Sequence, residues 1–488
     1  MLGKFKKYIR DQIYWLTVNP DKIRENNPLV KVIDDYIEDY VSLDGFALKL
    51  NNQETGSKAI HPKMMLKVLF YSFASGIYTS RKIEKRMGND LNTIYLAGND
   101  VVDHSNICRF INKYLDEIVG IFGKMVYVLG KSGFISYNLE AIDGTKIKAS
   151  ANKDFTGNAK EFRDKKNKIE EKILKILQET INNNQDEKQA ERIARKLKKF
   201  ERQKTKIENF LKSVEENKID ETETVNLTDE DAKMMKMNNG SVSPGYNCQA
   251  AVDSKNVFLT GAMVSDCASD RNLALPMIEE VEKHQYKEYE GTKFTLDAGY
   301  FTSDNIQYGE DNKIDLYIPE GKEEDGGQKK RKKKDTITVK DCELSIDGAL
   351  RKIKCPGDQA MIAQKAYEDR GNLFYRFYPD KSICRNCKLL ANCAGKVDQL
   401  KNKRFNVKYE YFETLVIRLK MRDKLTGQVG RAIYNERACL IEHIFGTIKE
   451  YYNFSRCYYR GINKVNTIWH MVCTAYNFRK MAVLGIKL

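Results

Sequence analysis

The spacing of apolar and polar positions changes three times along this chain. Over the first ~130 residues it is helical. Met64, Leu66, Leu69 and Phe70 recur at helical spacing after His61-Pro62, and Pro62 suits a first helical turn. Thr79 or Ser80 can cap a short basic helix running through Arg86, and Asp103 can open another across Ser105–Ile111. Two short helices about a Gly/Asn turn predict a helix-turn-helix-like unit, with a plain helical bundle as the other reading.

From Ile135 the period becomes two, which puts Ile135, Tyr137, Leu139, Ala141 and Asp143 on one face of a strand. Strands return at Tyr246–Asp253 and Val257–Val264, about the turn Asp253-Ser254-Lys255-Asn256. A helix over Asn272–Lys283, a strand ending at Asp297, a helix near Ser303–Tyr308 and a strand over Ile314–Ile318 follow. The expected fold class is therefore a mixed α/β sheet preceded by an all-α domain. Open sheets of this kind place ligands at the carboxyl ends of their strands.

Two stretches interrupt the pattern. Residues 156–232 are rich in Lys, Glu, Gln and Asn, with sparse apolar positions at Ile169, Ile173, Ile176 and Leu177 and again at Ile193, Leu197 and Phe200. They read as an exposed helical hairpin or as a flexible charged linker. Residues 321–425 hold the basic run Lys329–Lys334 and a group of cysteines. The expected organisation is a helical DNA-binding domain over 1–130 and an α/β domain assembled from 131–155, 233–320 and 426–488. The insertions, a charged hairpin over 156–232 and a Cys-containing unit over 321–425, divide that second domain.

Composition narrows the partners. With 488 residues the chain needs several domains, and its formal net charge of +15 favours a polyanion, DNA or RNA, over a membrane surface. The charged start lacks the apolar core of a signal peptide, and Met64–Tyr78 is broken by Lys67 and too short to span a bilayer. A soluble cytoplasmic protein is expected, with its eleven cysteines as thiols or metal ligands rather than disulfides.

Three acids stand in particular contexts. Asp143 lies in Ala-Ile-Asp-Gly-Thr-Lys and Asp297 in Phe-Thr-Leu-Asp-Ala-Gly-Tyr, each where a strand meets a glycine. Glu442 lies on a helical pattern whose apolar stripe is Ala438, Ile441, Phe445 and Ile448, with Lys449 projecting from nearly the same face as Glu442. If the three converge, their mutual repulsion calls for a divalent cation, and two Mg²⁺ or Mn²⁺ ions would serve in-line phosphoryl transfer. Cys355, Cys384, Cys387 and Cys393 could supply four soft ligands to a structural Zn²⁺, or be four reduced thiols near a small core.

The ordered set Ile-Asp-Gly-Thr-Lys, Pro244-Gly245-Tyr246-Asn247 leading into Gln249–Asp253, Asp297-Ala298-Gly299-Tyr300, and Glu442-x-x-Phe445-Gly446-x-x-Lys449 followed by Arg460-Gly461 resembles the DDE transposases of bacterial insertion sequences. His61-Pro62-Lys63-Met64, Ser80–Glu84 and Asp103-His104-Ser105 look like the helical front domain of one branch of that family. The resemblance implies an RNase H-like catalytic domain and carries Asp143, Asp297 and Glu442 over as a metal-binding triad. It makes Lys449 and Arg437 candidates for phosphate contact. His443, next to Glu442, departs from the expected pattern. The implied activity is cleavage and rejoining of double-stranded DNA at element ends by a homodimer, against a metal-dependent nuclease without strand transfer or a non-catalytic DNA-binding regulator. Candidate DNA contacts are Arg81, Lys82, Arg86, Arg109, Lys146, Arg437, Lys449 and Arg460. The hairpin and the Lys329–Lys334 run are expected to add sequence-independent phosphate contacts.

Overall fold

A computed structural model gives the architecture. It describes residues 19–50, 59–182, 187–216, 218–286, 291–321 and, with short breaks, 337–393 and 403–487. The Lys329–Lys334 run lies outside the described residues.

Eight helices come first: α1 (Pro20–Asn26), α2 (Pro28–Tyr40), α3 (Asp44–Leu48), α4 (Pro62–Ala74), α5 (Ser80–Met87), α6 (Leu91–Leu96), α7 (His104–Lys113) and α8 (Leu115–Lys131). Local chemistry sets their starts. Proline occupies the first turn of α1, α2 and α4, while Asp90 and Asp103 accept backbone N–H bonds as the caps of α6 and α7. Thr79 caps α5 by position only, without a side-chain bond. Helices α5 and α7 pack together as the sequence implied, but α6 was not anticipated between them.

The central sheet is built on β1 (Leu139–Lys148), which begins later than its alternation predicted. Tyr137 has φ +54°, which breaks the extended run before Leu139. A two-residue pair, β2 (Thr156–Gly157) and β3 (Val225–Asn226), closes the base of the inserted hairpin. That hairpin is formed by α9 (Ala159–Asn182) and α10 (Glu187–Glu215), with its own core of Phe162, Ile169, Ile207, Phe210 and Leu211. Strands β4 (Lys233–Lys236), β5 (Val242–Asp253) and β6 (Leu259–Ser265) follow, then α11 (Ala274–His284), β7 (Lys293–Thr295), α12 (Ser303–Asp311) and β8 (Asp315–Tyr317). β5 runs antiparallel between β1 on one side and β4 and β6 on the other, while β7 and β8 continue the sheet in parallel beyond β1. The order β6-β5-β1-β7-β8 and the strand directions are those of an RNase H-like sheet.

The second insertion forms two small three-stranded sheets. One comprises β9 (Glu343–Asp347), β10 (Leu350–Lys354) and β11 (Ala360–Ala363), and the other β12 (Tyr367–Asp369), β13 (Asn372–Phe377) and β14 (Phe405–Lys408). Short helices α13 (Lys381–Arg385) and α14 (Leu390–Cys393) carry Cys384 and Cys393, with Cys387 between them. A separate core including Ile353, Tyr375, Phe377 and Phe412 holds this unit together. The chain returns through α15 (Tyr409–Thr426) and α16 (Gln428–Arg437), then a π-helical turn over Ala438–Glu442, α17 (His443–Gly446), a second π turn over Thr447–Tyr451, and α18 (Ile462–Leu484).

Helix α18 is almost wholly buried. It packs on β6 and on α8, α4 and α2, and one continuous hydrophobic core runs from Val30 to Ile486. Among the described residues no helix is long and apolar enough to cross a membrane.

Candidate active site

Strand register brings the first two acids together. Ala141 pairs with Thr295 across the parallel β1–β7 contact, and Asp143 and Asp297 each lie two residues beyond that pair. Asp297 leaves the strand to cap a short 3₁₀ turn, accepting the Gly299 N–H at 2.8 Å. Burial pushes the Asp143 carboxyl up to about 6; the Arg437 guanidinium pulls it back, and Asp297 and Asp270 add to the rise. Burial raises Asp297 as well, with Arg437 opposing and Asp270 reinforcing the shift.

Glu442 is reached through an arginine rather than directly. Arg437, at the end of α16 with its side chain only 7% exposed, places Nη2 2.8 Å from Asp143 Oδ2 and Nη1 3.6 Å from Glu442 Oε1. The Glu442 side chain is 62% exposed. Its helix departs from the expected stripe. Ile441, Phe445 and Ile448 are buried, but Ala438 is exposed, and Leu440 and Ile444 join the core instead. The two π turns cause this, because each inserts an extra residue into its turn and rotates the following positions. Lys449 is partly buried where Glu442 is exposed. It turns inward, where burial lowers its pKa against the opposing pull of Cys248 and Asp143.

No group of three or more His, Cys, Asp or Glu side chains among the described residues is arranged to hold a metal ion. The donor chemistry of Asp143 and Asp297 nonetheless fits a divalent cation. Two half-buried carboxylates forced together keep raised pKa values even with Arg437 beside them, and hard oxygen donors suit Mg²⁺ or Mn²⁺.

Sequence reasoning missed Asp270. It sits in the loop between β6 and α11, and its Oδ1 accepts from Asn247 Nδ2 at 2.6 Å, Gln249 Nε2 at 2.9 Å and Lys146 Nζ at 3.0 Å. The Gln249 carboxamide oxygen in turn accepts from the Tyr300 hydroxyl. Gly144 makes room for this group. A Cβ there would collide with the Gln249 amide and lie 2.8 Å from Asp270 Oδ1. A Cβ at Gly299 would lie 3.6 Å from Asp270 Oδ2. No periodicity marks Asp270, because its partners are gathered by sheet register: Gly144 opposite Gln249 and Lys146 opposite Asn247.

The remaining candidates divide by exposure. Arg81, Lys82, Arg109 and Arg460 are exposed; Arg109 donates to Asn106 Oδ1 and Arg460 to the Ser150 carbonyl. Arg86 is engaged internally, 4.7 Å over the Tyr71 ring and 3.4 Å from Asp90. Lys146 and Arg437 are likewise committed to Asp270 and Asp143. The four cysteines are neighbours: burial raises the Cys384 thiol, and Cys393, Cys355 and Cys387 add to the shift. Cys384 Sγ donates to Gln359 Oε1 at 3.5 Å. Along α10, Arg195, Lys198, Lys199, Arg202 and Lys206 line one groove facing Asn152 and Phe155, just beyond the end of β1. Among the described residues, Arg195 alone of these five cations has an ion-pair partner, Glu191 of its own helix.

The sheet order and the paired aspartates define an RNase H-like protein. Two family models narrow this further: residues 18–113 match a transposase domain, and residues 354–482 match a transposase DDE domain. The resemblance to DDE transposases is thereby borne out over those two segments. The second match includes Glu442 and all four cysteines but neither Asp143 nor Asp297. A solved piggyBac transposase synaptic complex with hairpin DNA is 10% identical over 88% of this chain and 84% of its own, with a TM-score of 0.26. That superposition is too loose for anything to be carried across. No curated protein matches the chain.

Proposed function

We propose that this transposase cleaves double-stranded DNA at the terminal inverted repeats of a bacterial insertion sequence and joins the freed 3′ ends to target DNA. The observation that supports this best is the side-by-side placement of Asp143 and Asp297, with buried Arg437 linking Asp143 to Glu442. Asp143, Asp297 and Glu442 would hold two divalent ions, Mg²⁺ or Mn²⁺. Bound there, such ions supply Lewis-acid stabilisation of phosphoryl charge and a more acidic water. Arg437 and Lys449 bring positive charge beside the scissile phosphate. Arg437 lies between Asp143 and Glu442 and would hold the two acids near one another in the metal-free protein.

The metal site reads only a phosphate, so end recognition falls to side chains that reach base edges. Arg81, Lys82 and Arg109, exposed on α5 and α7, serve this role in the proposal, while the basic groove of α10 holds the backbone without regard to sequence. Cys355, Cys384, Cys387 and Cys393 would form a structural zinc knuckle in the second insertion. Two element ends held at once call for a homodimer on DNA, acting in the cytoplasm at the nucleoid.

The test is the purified full chain with element-end DNA and Mg²⁺ or Mn²⁺. Joined products are expected. Cleavage without joining would replace this reading with a nuclease, and binding without cleavage with a regulator.

A further inference from the structure

The segments that mark this chain as a transposase contribute more than their acids, and their other residues meet at one point. Gly144 and Lys146 follow Asp143; Asn247 and Gln249 lie opposite them on β5; Gly299 and Tyr300 follow Asp297. Lys146, Asn247 and Gln249 bond Asp270, Tyr300 bonds Gln249, and Gly144 leaves the space that Asp270 fills. Asp270 Oδ1 is fully occupied, accepting three bonds, while Oδ2 lies 3.3 Å from Lys146 Nζ. An oxygen so occupied is a poor metal ligand, yet Asp270 lies beside Gly144, next to Asp143 on β1, and near Gly299, two residues after Asp297.

We propose that Asp270 is a positioning residue of the active site, which keeps Lys146 from pairing with Asp297 and fixes the separation of the Asp143 strand from the turn that follows Asp297. The inference rests on the metal-binding reading of those two aspartates. Its physical basis is competition for one ammonium. Lys146 is close enough to Asp297 to favour that carboxylate's charge, and among the described residues its one ion-pair partner is Asp270. Remove the Asp270 charge, and Asp297 is an anion within electrostatic reach of Lys146. An ammonium paired with Asp297 would then compete with a divalent ion for the same oxygens.

Asp270→Asn is nearly isosteric and keeps an oxygen to accept from Asn247 and Gln249, so the fold should survive. Mn²⁺ binding to the full chain without DNA, followed by electron paramagnetic resonance and calorimetry, is the readout. Asp270→Asn should weaken Mn²⁺ about tenfold, a cost of roughly 1.4 kcal/mol. The double variant Asp270→Asn/Lys146→Gln should bind within about threefold of wild type, because the competing ammonium is gone. Thermal unfolding of each variant separates these effects from misfolding. Unchanged Mn²⁺ affinity in Asp270→Asn would overturn the proposal. So would a loss that Lys146→Gln fails to rescue, which would make Asp270 a ligand or a purely structural group. Asp143→Asn is the separate control: if it binds Mn²⁺ as wild type does, the metal reading itself fails, whatever Asp270 does.

Discussion

Asp143→Asn should abolish cleavage and at the same time make the metal-free protein more stable. Asp143 has a folded-state pKa of about 6, raised chiefly by burial, against an ordinary value of about 3.9. A carboxyl raised in the folded state contributes its full stability below the unfolded pKa and loses it as pH rises through the folded one. The window is therefore about pH 4 to 6, and the loss is complete by about pH 7. Two pKa units at 1.36 kcal/mol each amount to on the order of 3 kcal/mol. With the Asp143 side chain 17% exposed, little of this is screened away. Asparagine, neutral at every pH, should recover that amount at pH 8 and almost nothing at pH 4. Thermal unfolding of metal-free wild type and Asp143→Asn, followed by circular dichroism across this range, measures it. The difference in midpoint should open between pH 4 and 6 and reach on the order of 5 °C above pH 7. Mg²⁺ should then stabilise wild type and leave the variant unmoved. A variant equally or less stable than wild type at pH 8 would refute the reasoning, because Asp143 would then be satisfied rather than held at a cost.

Asp297→Asn should likewise abolish cleavage while leaving affinity for DNA within about twofold, read by strand-cleavage and gel-shift assays, since only the metal site is lost. Replacing Lys198, Lys199, Arg202 and Lys206 with Gln should weaken binding equally for all sequences and reduce the salt slope by up to about 3.6, at ~0.9 per phosphate contact. Arg109→Ala should instead erode preference for the element's own ends by roughly 1–3 kcal/mol, measured by competition with unrelated DNA. Protein purified without added metal should carry stoichiometric zinc by elemental analysis, and replacing Cys387 with Ser should release it.

Much of this was legible in the sequence. The alternation through Leu139, Ala141 and Asp143 located the central strand, and the switch from period two to helical spacing located α11 and α12 around the Asp297 strand. What was not legible is what depends on three dimensions. The π turns around Glu442 leave no mark on helical spacing, so the buried face near Ala438 and the direction of Lys449 came out differently. Arg86 reads as a free cation in a basic helix, but the Tyr71 ring that holds it comes from another helix. Asp270 lacked any local signature, since all its partners arrive through pairing across β1 and β5. The short strands of the second insertion were likewise invisible among its charges.

The continuous core that α18 shares with the front helices has a consequence for how such an enzyme measures DNA. Trp469 of α18 donates to the Gln249 carbonyl on β5, two strands' width from Asp297. The Tyr78 hydroxyl, just before α5, donates to the Tyr452 carbonyl beyond the Glu442 helix. The helices that would read a DNA end are thereby joined to the sheet that would cut it by a shared core and these two hydrogen bonds. The protein body then acts as a ruler. A base pair inserted between the recognised sequence and the cleavage point would shift the cut by one nucleotide within the element, rather than be absorbed by a moving domain.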